Sequence, residues 1–218
     1  MKIFNYVIFA SFCVLNAQSS QRDYNEELRY QNDAINKMKK EIEELSSKLR
    51  KANMTISVAE SCTGGRIASN IVSFEGASEF FLGGVVTYST PSKIRILNID
   101  KKRIEQYGVV SPEIAKDMSN AVKDLFGSDI SISITGNVGS KSGDGLSPIG
   151  QVFISINFMN KVDVWKFNFN DDRNTNIESA VSKAVSYTHL RAHETPEHGV
   201  CRRLGEKKKG GGGGGGGG

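Results

Sequence analysis

From Thr55 onward, short apolar runs alternate with helical patterns, and that alternation restricts the chain to a layered α/β fold. Thr55 to Ala59 is a short apolar strand, and Ser61-Cys62-Thr63-Gly64-Gly65 turns it into a helical pattern from Arg66 to Ser73. Gly83 to Tyr88 is a second strand. Ser111-Pro112-Glu113 opens a helix with a hydroxyl cap and a proline in the first turn, and it runs to about Phe126. Ile130 to Thr135 alternates isoleucine and serine with strong β character. Gly150 to Asn157 and Val162 to Phe169 read as neighbouring strands joined at Met159-Asn160-Lys161, and a last helix begins near Thr175. The expectation is a three-layer α/β/α domain with a central mixed sheet over residues 53–184.

What precedes residue 53 has a different character. Residues 18–52 form a charged helical arm whose apolar positions are Tyr24, Leu28, Ile35, Met38, Ile42, Leu45 and Leu49. With Gln31 included the spacing alternates four and three, as in a coiled-coil seam. One reading is a short coiled-coil dimer, so that the protein is a homo-oligomer. The other is that only the last turns pack, leading into the domain. Ahead of the arm, residues 1–17 read as a signal peptide: Lys2, an apolar run from Ile3 to Leu15, then Asn16-Ala17. A mis-assigned start or a buried helix is the alternative. Export would leave no stable membrane anchor after cleavage.

Residues 185–218 read as a translated sequencing adapter rather than native protein, expected to be disordered. Val185-Ser186-Tyr187-Thr188-His189-Leu190-Arg191-Ala192-His193-Glu194-Thr195 matches one frame of a transposase-type adapter, and Lys207 to Gly218 reads as poly-A followed by poly-G. A natural basic tail with a glycine-rich linker is the competing reading. Over the whole chain, 28 basic residues stand against 24 acidic ones. Setting the segment aside removes six basic and three acidic residues, leaving 22 against 21. A net charge of +1 gives no electrostatic case for nucleic acid. All three histidines leave with the segment. Residues 1–184 therefore offer no histidine for a triad or a zinc site. Once a signal is cleaved, Cys62 stands alone in that part of the chain, so no internal disulfide can form.

The strand–turn–helix at Ala59-Glu60-Ser61-Cys62-Thr63-Gly64-Gly65 carries the most chemistry. Hydroxyls and glycines lie where a helix start presents unpaired N–H groups, which suits a phosphate, an oxyanion or an exposed nucleophile. Ordinary capping accounts for the same residues equally well. A second cluster, Gly83-Gly84-Val85-Val86-Thr87-Tyr88-Ser89 followed by Lys93, ends a strand and enters a helix. Taken singly, Lys93, Thr135-Gly136 and Arg173 are unremarkable.

Together, in order, these stretches resemble the C-terminal domain of the competence/damage-inducible family, whose characterised activity is nicotinamide-nucleotide amidohydrolase (nicotinamide mononucleotide deamidase). The likeness runs from about Glu44 to Ala184. It includes Tyr107-Gly108-Val109-Val110-Ser111, Ile134-Thr135-Gly136, Pro148-Ile149-Gly150 and Asp172-Arg173 besides the two clusters above. The resemblance implies Ser61 as nucleophile, Lys93 as its base, Tyr88 helping to hold that pair, and Thr135 near the reacting carbonyl. It places Arg173 near the nucleotide phosphate, with Cys62, Thr63, Gly64, Gly65 and Gly136 lining the substrate. It implies a small-molecule nucleotide substrate, no nucleic acid and no cofactor or metal.

Two features depart from the family pattern. Asn137-Val138-Gly139-Ser140-Lys141-Ser142-Gly143 replaces a segment that usually holds a proline and a glycine pair, which bears on specificity. The signal-like start favours an exported protein, whereas the family acts on a cytosolic metabolite. A non-catalytic exported scaffold working through its arm is the competing reading, and Cys62 as nucleophile is a weaker one.

Overall fold

The computed structural model describes residues 25–26, 28–29, 32–142 and 145–193. The signal-like segment, Tyr24, Gln31, Gly143 and residues 194–218 lie outside them. The chain divides into two compact units, residues 1–40 and 41–218. In the first, residues 25–26, 28–29 and 32–40 are helical, and Leu28 and Ile35 are exposed. In the second, residues 41–52 form helix α1, with Ile42, Leu45 and Leu49 buried. These last seam positions fill the core of their own unit.

The second unit continues through β1 (Ile56–Glu60), α2 (Arg66–Val72), β2 (Phe81–Val86) and α3 (Thr90–Leu97). Then come α4 (Lys101–Tyr107), α5 (Pro112–Phe126), β3 (Ile130–Gly136), β4 (Gln151–Phe158), β5 (Lys161–Asn168) and α6 (Arg173–His193). The strands make one mixed sheet in the order β2-β1-β3-β4-β5. β1 is parallel to β2 and β3, while β4 and β5 are antiparallel additions. Helices α3, α4 and α5 cover one face, and α2 with α6 packs on the other, giving three layers. The hairpin turn, Met159-Asn160, has positive φ at both residues (50° and 69°), the twist that a two-residue connection needs.

The isoleucine/serine alternation in β3 has an unexpected meaning. Both faces of the strand are buried, so it does not separate core from solvent. Ser57 donates to the Val122 carbonyl, Ser131 to Ser119 and Ser133 to Ala115, all on α5. Ser119 and Ser155 bond each other at 2.9 Å. Small hydroxyl side chains let α5 lie close on the sheet and give its carbonyls a second donor. Strand alternation turns Ile130, Ile132 and Ile134 to the α2/α6 side, all of them buried.

Two elements differ from their expected extent. α4 follows an Asp100 cap and buries only Ile104, too little periodicity to be read from sequence. α6 begins two residues early because the Asp172 carboxylate accepts from the N–H groups of Asn174 and Thr175. It also continues through residues 185–193, where disorder was expected. Val185 and Thr188 extend the buried stripe of Ile177, Ala180, Val181 and Ala184 at helical spacing, so the same face stays covered. Among the described residues no helix is long and apolar enough to cross a membrane.

Gly84 lies opposite Val58 on β1, and a Cβ there would stand 2.4 Å from Val58 Cγ2 and 2.9 Å from its carbonyl oxygen. Gly84→Ala should therefore lower the urea unfolding midpoint, at a cost of about 1–3 kcal/mol.

Candidate active site

Residues 60 and 61 are consecutive and do different work. Alternation along β1 sends Glu60 to the α2 side and Ser61, like Ser57 and Ala59, to the α3/α5 side. Glu60 is 1% exposed. Its Oε2 accepts from Thr63 Oγ1 (2.6 Å), Gly65 N (2.9 Å) and Ile67 N (3.2 Å), and its Oε1 from Ala68 N (2.8 Å). The start of α2 is thus capped by the chain's own carboxylate. Gly65, with φ 98°, makes the sharp entry to the helix. Ser61 N–H donates to Ile134 O across the β1/β3 seam, and Gly64 N–H closes back onto Ser61 O. The N–H groups of Cys62 and Thr63 have no backbone acceptor among the described residues, and that of Cys62 has only its own sulfur beside it.

Lys93 comes from α3, whose start is fixed by a reciprocal Ser89/Ser92 capping box with Pro91 in the first turn. It is 2% exposed, with Nζ 2.9 Å from Ser61 Oγ and 2.7 Å from Thr87 O. Burial pushes its ammonium down to about 8, with neighbouring Cys62 pulling slightly the other way. At neutral pH roughly a tenth of Lys93 is the free amine, enough to act as a base. Cys62 is buried, and burial pushes its thiol up to about 12, which leaves scarcely any thiolate.

The remaining expected residues gather around this pair with altered roles. The Tyr88 hydroxyl accepts from Arg173 Nη2 at 3.2 Å, so its partner is Arg173 rather than the serine–lysine pair. The Thr87 carbonyl holds Lys93 instead. Thr135 follows Ile134 beside Ser61, but its hydroxyl donates to Val109 O at 2.8 Å and is 1% exposed. Thr63 spends its hydroxyl on Glu60. Gly64 is exposed on the turn, with φ 63°. Gly136 is explained by strand packing, since a Cβ would meet Val152 Cγ2 at 2.6 Å.

The loop after Thr135-Gly136 is held by polar contacts where the family pattern has proline. Asn137 Nδ2 donates to Ser142 Oγ and Ser147 O, and Asn176 Nδ2 donates to Val138 O. Arg173 lies against this loop: a Cβ on Gly139 would come within 2.9 Å of its Nη1. All these groups sit at the carboxyl ends of β1, β2 and β3. There the chain goes from β1 to β2 on one side and later to β3 on the other, the switch point at which open α/β sheets bind ligands. Sequence reasoning quoted Glu60 and Thr87 in their motifs but gave them no role; a carboxylate just before a turn of small residues was the available signal for Glu60. The Thr87 hydroxyl is buried with no partner among the described residues. No group of three or more His, Cys, Asp or Glu side chains among those residues is placed to hold a metal ion.

Holding a buried amine costs stability. Below pH 8, Lys93 is charged in both the folded and the unfolded chain, and the folded one bears the desolvation cost. Between pH 8 and 10.5 the unfolded chain keeps the proton that folded Lys93 has lost, so stability rises with pH across that window. Lys93→Met should raise stability by roughly 1–3 kcal/mol at pH 7 in urea titrations. That advantage should shrink as the pH approaches 10.5.

The sequence profile of the CinA C-terminal domain matches residues 38–191. A CinA-like protein of Flavobacterium psychrophilum is 40% identical over 141 residues, covering 65% of this chain and 34% of that protein. One from Thermotoga maritima is 42% identical over 126 residues, 58% of this chain and 31% of that protein. The chain therefore spans about a third of the length of these relatives. Among solved structures, competence damage-inducible protein A of Klebsiella pneumoniae superposes with a TM-score of 0.70 at 26% identity, over 73% of this chain and 99% of that one. A competence or damage-inducible protein of Enterobacter asburiae gives 0.69 at 28% identity, over 71% and 98%. Family profile, relatives and fold coincide on the domain that carries Ser61 and Lys93, and the chain belongs to the CinA C-terminal domain family.

Proposed function

We propose that this domain is a nicotinamide-nucleotide amidohydrolase that converts nicotinamide mononucleotide to nicotinate mononucleotide and ammonia. The observation that carries the reading is the buried Lys93 amine 2.9 Å from Ser61 Oγ. A serine needs a base, and a desolvated lysine near pH 8 is one. In the proposed cycle, neutral Lys93 takes the Ser61 proton while Oγ attacks the carboxamide carbon. The N–H groups of Cys62 and Thr63 donate to the developing oxyanion. The tetrahedral intermediate collapses, Lys93 returns the proton to the departing nitrogen, and ammonia leaves a nicotinoyl ester on Ser61. Water, deprotonated by the same lysine, then hydrolyses the ester and restores the serine. Arg173, exposed at the rim and bonded only to a neutral phenol among the described residues, suits the substrate's phosphate.

Incubating the full chain with nicotinamide mononucleotide should release ammonia, and Ser61→Ala should lower the rate about a thousandfold or more. Folded protein that releases none would overturn the assignment. Because the base must be neutral, kcat/KM should rise about tenfold per pH unit up to about pH 8 and then level off. A flat profile from pH 6 to 9 would remove Lys93 from the base role.

A further inference from the structure

We propose that Glu60 is a positioning residue for the nucleophile: it takes up the donors of α2 and thereby reserves the two N–H groups beside Ser61 for the substrate's oxyanion. The inference rests on the serine–lysine reading of the same site and adds to it a residue that touches no substrate. Four donors converge on the Glu60 carboxylate, three from the first helical turn and its cap and one from the Thr63 hydroxyl. The two N–H groups that remain, those of Cys62 and Thr63, follow the nucleophile directly. Thr63 belongs to both sets: its side chain is tied to Glu60, while its N–H has no backbone acceptor among the described residues. The carboxylate thus fixes the peptide plane that must donate at the transition state. It also fills the positive end of α2, which would otherwise attract an anionic group of the substrate to the wrong side of the sheet. Because Glu60 and Ser61 point to opposite faces of β1, this happens without the carboxylate approaching Lys93 Nζ, whose bonds go to Ser61 and Thr87.

Glutamine at this position keeps one acceptor oxygen and presents an NH2 group to the other set of donors. With its oxygen toward Thr63, Gly65 and Ile67, its NH2 faces the Ala68 N–H, donor against donor. The turn should shift while the fold persists. An alkyl fluorophosphonate reads the serine without any nucleotide: Ser61 Oγ displaces fluoride from phosphorus, a P–O bond replaces the P–F bond, and the serine proton goes to Lys93. In full-length Glu60→Gln, the labelling rate at pH 9 should fall about 10- to 100-fold, less than the roughly 100- to 1000-fold of removing an oxyanion donor outright, because the donors are misaligned and not lost. The final labelled fraction and the midpoint of the pH–rate curve should not move. With nicotinamide mononucleotide, kcat should fall by a similar factor and KM by less than threefold either way. A merely structural Glu60 would give less labelled protein at the wild-type rate, and that result overturns the proposal. Thr63→Val, which removes a single donor to the carboxylate, should slow labelling about 3- to 10-fold. An unchanged rate in that variant overturns the proposal even if Glu60→Gln fails to fold. Wild-type protein that labels quickly but leaves the nucleotide untouched counts against the substrate assignment and leaves the role of Glu60 standing.

Discussion

The period of two along β1 is the constraint on which the site depends. It sends neighbouring residues to opposite faces of a sheet that is covered on both. Glu60 therefore meets the helix that follows β1, and Ser61 meets the lysine of a helix on the other face. A one-residue slip of register would exchange them, burying a hydroxyl under α2 and a carboxylate against Lys93. Register is pinned from both sides: Val58 pairs with Gly84 on β2 and with Ile132 on β3. The serines facing α5 contribute too, because Ser57 has an acceptor only on that face.

The same sheet lowers the lysine's hold on its proton. An exposed lysine at a helix start would stay protonated near neutrality. Lys93 is held against the sheet by a helix whose start is fixed at Ser89, and among the described residues its amine bonds only a hydroxyl and one carbonyl. Among the described residues no carboxylate is bonded to it; Glu60, next to Ser61 in the chain, is engaged on the other face of the sheet. Desolvation is then unopposed by an ion pair, and the amine is lowered toward 8. Site chemistry and capping chemistry are kept apart by topology, and each would damage the other if they met.

Much of this was legible in the sequence. The strands, the capped α5 and the hairpin follow from patterns that the backbone must obey, and the structure shifts their ends by a residue or two. Ser61 and Lys93, 32 residues apart, became a pair only through the family likeness; no local spacing joins them. Tyr88 shows the limit of carrying a role across by motif: the motif brings it to the same end of the sheet, where its hydroxyl accepts from Arg173. The isoleucine/serine alternation was visible, yet a half-exposed strand and a strand packed on helix carbonyls look alike until α5 is in place. Residues 185–193 mark the opposite limit. A stretch read as foreign at the codon level still presents valine and threonine at the spacing that α6 needs.

The loop after β3 shows how a changed sequence keeps a site intact. Proline stiffens a loop through its own ring, at no cost in partners. This chain instead uses amides. Asn137 bonds across the loop to Ser142 and Ser147, while its backbone pairs with Gln151 and Gly150. Asn176, 2% exposed, ties Val138 to the start of α6 through Val138 O and Asp171 O. Arg173 stands between that loop and Tyr88, so its placement depends on three segments distant in sequence. A polar network of this kind fixes the cation as firmly as a proline loop only while every amide keeps its partner. The placement of Arg173 thus rests on Asn137 and Asn176, whereas the placement of Ser61 rests on the strand beneath it.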